Sequence, residues 1–218
     1  MSPQRIALRP ALHAKWWPTA TLISSRSVKL FICAAILAGL KSAPEWLALG
    51  ISLHLGGYLT RLQKKYSGQG FTTLLVGTVV LSLIATAGEI WGTSNQHWIY
   101  HSIGDRTLPL WVPIAWMGAY PVIYIAELQV IQNFALTKLH QCYLASLVTA
   151  VLLGVIGEVF AVNLGVWTYT LPFQALGIPA IVLFFLAGVH TLVYGAMFLF
   201  CRTRNEFNPV YRPESAQQ

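Results

Sequence analysis

The sequence predicts an all-α, polytopic membrane protein: a bundle of about six transmembrane helices with an internal two-hairpin repeat. Three observations carry this prediction. The 218-residue chain is 56% hydrophobic and 10% charged, as expected for a chain that crosses a bilayer several times. Its apolar residues fall into six stretches, with basic residues gathered between alternate stretches. Two of the resulting hairpins also repeat a set of rare residues.

The six apolar stretches cover about 24–40, 46–60, 71–91, 108–128, 143–165 and 178–201. A hydrocarbon core about 30 Å thick requires ~20 helical residues. The last four stretches meet this requirement. The first two are short, and the charged Lys41 and Glu45 separate them, together with Pro44. They form either two tilted spans or a broken re-entrant pair, and we expect two spans.

Basic residues define the expected orientation. Lys and Arg concentrate before the first stretch, between the second and third, between the fourth and fifth, and after the sixth. The positive-inside rule therefore predicts six crossings with both termini in the cytoplasm, in a bacterial inner membrane. This topology also explains the net charge of +7, so we expect no nucleic-acid partner.

The chain is expected to divide into three parts. Residues 1–23 form a basic, interfacial leader, in which Trp16 and Trp17 suit the headgroup level; a transit peptide is the alternative. Residues 24–202 form the transmembrane bundle. Residues 203–218 form a polar cytoplasmic tail, which is expected to be disordered.

The internal repeat consists of units 71–128 and 143–201, offset by 69 residues in the first half and 70 in the second. Both units start on the same side, which predicts a pseudo-two-fold axis along the membrane normal and a site at the interface of the units. Gly118 and Gly188 are expected to permit close helix approach. The matched residues are Gly88-Glu89, Trp98-x-Tyr100, Pro109, Gly118 and Tyr124 in the first unit, and Gly157-Glu158, Trp167-x-Tyr169, Pro179, Gly188 and Tyr194 in the second.

Glu89 and Glu158 are the predicted catalytic residues. A carboxylate in an apolar helix costs roughly 2.5–3.5 kcal/mol on insertion scales and usually faces a bundle interior. A buried carboxyl group can stay protonated and donate a proton to an apolar substrate. We expect Glu158, in drier surroundings, to be the acid and Glu89 to stay nearer ionised. Alternatively, both are neutral groups that only tie helices together.

Aromatic residues around the acids are predicted to bind the substrate, because aromatic faces stabilise cations; an interfacial aromatic belt is the alternative. His97 and His101 could share a metal across one helical turn. The second unit has Val166 and Thr170 there, however, so we expect a polar loop and neither a metal nor an organic cofactor. The predicted substrate-binding residues are Trp91, Trp98, Tyr100, Trp116, Tyr120, Trp167, Tyr169 and His190.

A family resemblance rests on three consecutive motifs. Gly88-Glu89-x-Trp91-Gly92, then Trp98-x-Tyr100, then Leu108-Pro-Leu-Trp-Val-Pro-Ile-Ala-Trp116 resemble the integral-membrane carotenoid biosynthesis family. That family includes hydratases that add water to the terminal double bond of acyclic carotenoids. The resemblance covers about residues 80–120, with an echo at 150–195. Residues 93–97 depart from it, because the family favours a Gly- and Phe-containing stretch there.

Taken together, these features favour an enzyme that hydrates or cyclises a lipophilic isoprenoid. The expected partners are that lipophilic small molecule and membrane lipid, and the sequence leaves the oligomeric state open. Two alternatives remain: a small proton- or cation-coupled transporter, and a structural membrane subunit.

Overall fold

The protein is a helical bundle in the computed structural model, which describes residues 16–66, 68–101, 103 and 106–213, without the side chains of residues 16 and 17. The helices are α1 (Trp16–Gly39), α2 (Pro44–Lys65), α3 (Gln69–Ser94), α4 (Trp111–Asn133), α5 (Leu139–Asn163) and α6 (Ala180–Thr203). The short strands are β1 (Trp98–Tyr100), β2 (Trp167–Tyr169), β3 (Gln174–Ala175) and β4 (Ile178–Pro179).

Five helices are long and apolar enough to cross a membrane: α1 from Pro18, and α3, α4, α5 and α6. This indicates a multi-pass membrane protein. Helix α2 is 22 residues long but is not among the five, because polar and charged side chains occupy both of its ends. Its first turn holds Glu45 and its last turn holds Lys64 and Lys65, charges that suit the helix dipole.

Four helices form a ring. α3 packs against α4 and α6, and α5 packs against the same two helices. Outside the ring, α1 lies against α4 and α5, while α2 lies against α4. Only 6% of the most apolar window of α1 is buried, so most of its surface is available to lipid.

The two ends of the bundle differ. At the strand end, β1 pairs with β2 in antiparallel register, with Trp98 opposite Tyr169 and Tyr100 opposite Trp167. The α1–α2 connection lies there too, because Lys41 Nζ donates a 2.9 Å hydrogen bond to the Gly165 carbonyl. The opposite end, the turn end, carries the α2–α3 and α4–α5 connections and the segment that follows α6.

Helix ends repeat their hydrogen bonds at a fixed spacing. After α3, the N–H groups of residues 95, 96 and 97 donate to carbonyls 91, 93 and 92, and the same set follows α5 at positions 69 higher. α4 and α6 end alike, 70 residues apart. These bonds are typical of a Schellman-type end, with one residue in the left-handed region. After α3, α4, α5 and α6, respectively, that residue is Gln96, Ala135, Gly165 and Asn205, with φ of 57°, 51°, 69° and 52°.

Residues 204–213 close the turn end, and we call them the C-terminal plug. Val210 and Tyr211 are 0% and 1% exposed. Asn208 Nδ2 donates to the Tyr124 hydroxyl over 3.0 Å, and the Tyr194 hydroxyl donates to the Val210 carbonyl over 2.6 Å. The predicted disorder of the tail is therefore wrong for the plug. The prediction came from the polar composition of the whole tail, whereas a few of its residues are buried against the helices. Residues 214–218 lie outside the described residues.

Helix α1 begins at Trp16, within the segment 1–23 expected to be an interfacial leader, and residues 1–15 lie outside the described part of the chain. One further expectation is wrong. A Cβ at Gly118 or Gly188 would meet nothing within 4 Å, so neither glycine supports a close helix approach. At Gly77, by contrast, a Cβ would lie 1.9 Å from the Tyr120 ring.

Candidate functional site

Glu89 lies in the last part of α3, and its carboxylate accepts hydrogen bonds from three side chains. Trp98 Nε1 and the Tyr100 hydroxyl donate to Oε2, each over 2.9 Å. Trp116 Nε1 donates to Oε1 over 3.2 Å. Glu89 is only 8% exposed. Its acceptor atoms are thus satisfied by three donors.

Glu158 occupies the corresponding part of α5 but has fewer donors. The Tyr169 hydroxyl donates to its Oε2 over 2.6 Å. In contrast to buried Glu89, Glu158 is partly exposed. Drier surroundings were expected for Glu158; both acids line the same cavity, so this expectation stays a prediction.

Both acids line this one cavity, which has a volume of about 370 Å³. Most of its wall is aromatic or aliphatic, which suits an apolar guest. Of the predicted substrate-binding residues, six line it: Trp91, Trp98, Tyr100, Trp116, Trp167 and Tyr169. The other lining residues are His97, Leu171, Ile181, Val182, Phe184, Phe185 and Leu186.

The β1–β2 pair holds the aromatic wall in position. Trp98 contacts the Tyr169 ring with centroids 5.8 Å apart, and Tyr100 contacts Trp167 at 5.5 Å. Cross-strand aromatic pairs of this kind stabilise a short ladder. As a result, the tyrosine that donates to each acid packs on a tryptophan from the other hairpin.

Burial raises the pKa of the Tyr100 and Tyr169 hydroxyls well above the usual value near 10. The charges of Glu89 and Glu158 raise both values further. A tyrosine with a raised pKa keeps its proton as the pH increases. Both hydroxyls therefore remain hydrogen-bond donors to the acids across the whole physiological range.

Two glycines in α3 make room for the cavity wall. A Cβ on Gly92 would lie 1.9 Å from Trp98 Cη2, and one on Gly88 would lie 2.4 Å from Phe185 Cζ. Only a residue without a side chain fits beneath these rings. The spacing Gly88-Glu89-x-x-Gly92 thus places one acid on the same helix as two glycines, each of which leaves space for an aromatic ring of the cavity wall.

Replacing Gly92 by Ala is expected to push the Trp98 indole away and break its hydrogen bond to Glu89. The matched control is Gly118→Ala, because a Cβ there meets only open space and Ala favours helix by about 1 kcal/mol. Tryptophan fluorescence and thermal unfolding in detergent would measure both variants. A Gly92→Ala protein with unchanged emission and unchanged Tm would contradict this account of the wall.

Tyr120 and His190 do not line the cavity. The Tyr120 hydroxyl lies 2.9 Å from the Tyr211 hydroxyl of the C-terminal plug, and His190 Nδ1 lies 3.6 Å from Glu127 Oε1. Both therefore belong to the bundle interior nearer the turn end. The position of a residue in the sequence carries no information on which way its side chain points.

The histidine pair receives no support as a metal site. His97 lines the cavity and contacts the Trp91 ring at a centroid distance of 4.8 Å. Within the described ranges, no group of three or more His, Cys, Asp or Glu side chains could hold a metal ion. Asp105, which is close to this pair in the sequence, lies outside the described residues.

Sequence reasoning missed several residues that the structure brings forward. Phe184, Phe185 and Leu171 line the cavity but lie in apolar runs that give no local signal. Glu127 is 1% exposed and lies within the apolar stretch 108–128, so an intramembrane acid was visible there. It was overlooked because it has no partner in the repeat.

No family model, curated protein or solved structure matches this chain. The resemblance to the membrane carotenoid family therefore remains a proposal that rests on the residues quoted above.

Proposed function

We propose that this protein is an integral-membrane enzyme that hydrates or cyclises a lipophilic isoprenoid by acid catalysis. One observation carries the proposal: two carboxyl groups from different helices open into a single cavity whose walls are otherwise almost entirely aromatic and aliphatic. An acid in apolar surroundings can protonate an alkene, and aromatic faces can stabilise the carbocation that results.

The two acids are proposed to act in sequence. Glu158, with fewer donors and access to the cavity, protonates the terminal double bond. For hydration, water adds to the cation and the Glu89 carboxylate takes its proton. For cyclisation, a second double bond of the substrate attacks the cation and Glu89 removes a proton from the ring. One proton leaves Glu158 and one reaches Glu89, so a return transfer between the acids completes the cycle.

A lipid-side entrance supports a lipophilic substrate. Three of the lining side chains are largely exposed on the outside of the bundle: Trp91 of α3 at 54%, Ile181 of α6 at 56% and Phe184 of α6 at 77%. Because α3 and α6 are neighbours in the ring, these residues border a lateral opening between them. An isoprenoid dissolved in the bilayer could enter there without crossing water.

The reaction class is tested by comparing lipid extracts from cells that express the protein and cells that do not, by mass spectrometry. Hydration yields a product heavier by one water, and cyclisation yields an isomer of the substrate. Unchanged lipids in cells with a full isoprenoid complement would contradict the enzyme and favour a transporter or a structural subunit.

The internal repeat is proposed to be a genuine duplication. The β1–β2 register pairs Trp98 with Tyr169 and Tyr100 with Trp167, as a local two-fold axis requires. The repeated helix ends at spacings of 69 and 70 and the ring order of α3, α4, α5 and α6 support the same relation.

We propose a sixth crossing by α2, with both termini in the cytoplasm of a bacterial cell. Glu45 at the start of α2 pairs with Arg106 over 2.6 Å, which ties this end to the loop between β1 and α4. Leu62, near the end of α2, packs in the core cluster that contains Tyr211, at the turn end. Parallel packing of α2 against α4, over the 22 residues of α2 or about 33 Å of helix, supports a full crossing.

Topology reporters fused after Lys65 and after Gln218 should both report the cytoplasm, since the basic residues collect at the turn end. The second fusion leaves the C-terminal plug intact. A third reporter, fused in the α1–α2 connection after Lys41, should lie on the opposite side from the reporter after Lys65. If these two reporters lie on the same side, α2 does not cross and the six-span topology is wrong.

A further inference from the structure

Glu127 is a buried acid that the cavity does not use. It lies on α4, is 1% exposed, and neither of its carboxyl oxygens has a hydrogen-bond partner among the described residues. Buried polar atoms in native proteins are nearly always satisfied, and an exception calls for an unseen partner such as water or an ion. Glu127 therefore marks a second place in the bundle where chemistry is expected.

His190 of α6 is the group next to it. Its Nδ1 lies 3.6 Å from Glu127 Oε1, which is longer than a direct N–H···O hydrogen bond of 2.7–3.2 Å. The other imidazole nitrogen, Nε2, is also buried without a partner in the described chain. Two complementary polar groups thus face each other from opposite corners of the ring without direct bonding, and a water that bonds to both must lie beside the line that joins the two atoms.

The tyrosines near Glu127 do not satisfy it, because their hydroxyls bond elsewhere. Tyr120 bonds Tyr211, and Tyr124 and Tyr194 bond Asn208 and the Val210 carbonyl of the plug. Ser146 of α5, a helix packed against both α4 and α6, has a further buried hydroxyl without a partner in the part of the chain that the structure describes. Buried waters typically make about three bonds to such groups.

We propose that Glu127 and His190 form a second intramembrane site, which binds water and holds one exchangeable proton. The carboxylic acid and the neutral imidazole form the resting state, because an apolar interior disfavours separated charges. Transfer of the proton through the bridging water converts the pair to carboxylate and imidazolium, with no change in net charge. The site is separate from the cavity, since neither residue lines it, and it does not depend on the proposed isoprenoid reaction.

Infrared difference spectroscopy of the purified protein in lipid would detect this proton. A protonated carboxyl group absorbs in a carbonyl-stretch band that ionised carboxylates lack. We expect such a band in the wild-type protein, a shift of the band on transfer to D₂O, and loss of the Glu127 component in Glu127→Gln, while the component from protonated Glu158 is retained. Glu45→Gln, which changes an exposed acid, should leave the band unchanged.

The repeat alignment suggests two further variants, in which each residue is replaced by the one at the corresponding position of the other repeat unit. Position 127 aligns with Met197 and position 190 with Tyr120, so Glu127→Met serves if Glu127→Gln fails to fold. His190→Tyr is expected to displace the Glu127 band by removing the bridged partner. If both Glu127 variants keep the full band, or if the Glu127 band does not shift in D₂O, the proposed site is wrong.

Discussion

Replacement of Glu158 by Gln is expected to abolish product formation while the protein still folds in membranes. Gln keeps the shape of the side chain and can still accept the Tyr169 hydrogen bond, but it has no titratable proton. General acid catalysis contributes about 10²–10⁴-fold to a rate, so turnover should decrease by that factor. The measurement is the ratio of product to substrate in lipid extracts, normalised to the amount of folded protein.

Two acid-to-amide variants sharpen this test. Glu45→Gln changes an exposed carboxylate outside the cavity and should leave turnover unchanged. Glu89→Gln provides one acceptor oxygen where three donors converge, so it should both lower activity and destabilise the strand end by about 1–3 kcal/mol. Full activity in Glu158→Gln with lost activity in Glu89→Gln would reverse the two roles. Wild-type behaviour in both would contradict catalysis by these residues.

Replacement of Tyr211 by Ala is expected to cause the largest loss of stability in the C-terminal plug. Its ring stacks on Tyr124 with centroids 5.7 Å apart and packs edge-on against Tyr194 at 5.2 Å. Truncating a fully buried aromatic side chain typically costs 3–5 kcal/mol, and here it also leaves the Tyr120 hydroxyl without its partner. Chemical or thermal unfolding in detergent should show this loss of unfolding free energy.

Two variants in the plug separate packing from hydrogen bonding. Phe207 is 40% exposed, so Phe207→Ala should change the unfolding free energy by less than about 1 kcal/mol. Tyr211→Phe retains the ring and loses only the hydroxyl, at an expected cost of about 1–3 kcal/mol. Equal stability of Tyr211→Ala and the wild-type protein would mean that the plug does not close the bundle in solution.

Local sequence patterns predicted much of the site. An acid in an apolar stretch must be turned away from lipid, and that rule, together with the repeat, singled out Glu89 and Glu158. The Trp-x-Tyr pairs followed from their equal spacing after each acid. Because a three-residue strand presents alternate side chains on one face, Trp98 and Tyr100 point the same way, and both reach Glu89.

Other parts of the site depend on contacts between residues distant in the chain. Phe185 enters the cavity because Gly88 leaves space beneath its ring, and neither residue reveals this alone. The difference between the acids likewise comes from Trp116, a third donor that reaches Glu89 from α4. Sequence reasoning assigned the same roles to the acids but for a different reason, namely the dryness of the following loop.

The sequence by itself determined that this is a multi-pass helical membrane protein, because length and hydropathy are additive properties of a segment and need no partner. It also singled out the two acids, since their cost in lipid is local. Only the tertiary structure decided that the tail closes the bundle, that Glu127 lies beside His190, and which aromatic rings surround the acids. Those features depend on side-chain direction and helix rotation, which are set by packing across the ring rather than by any one helix.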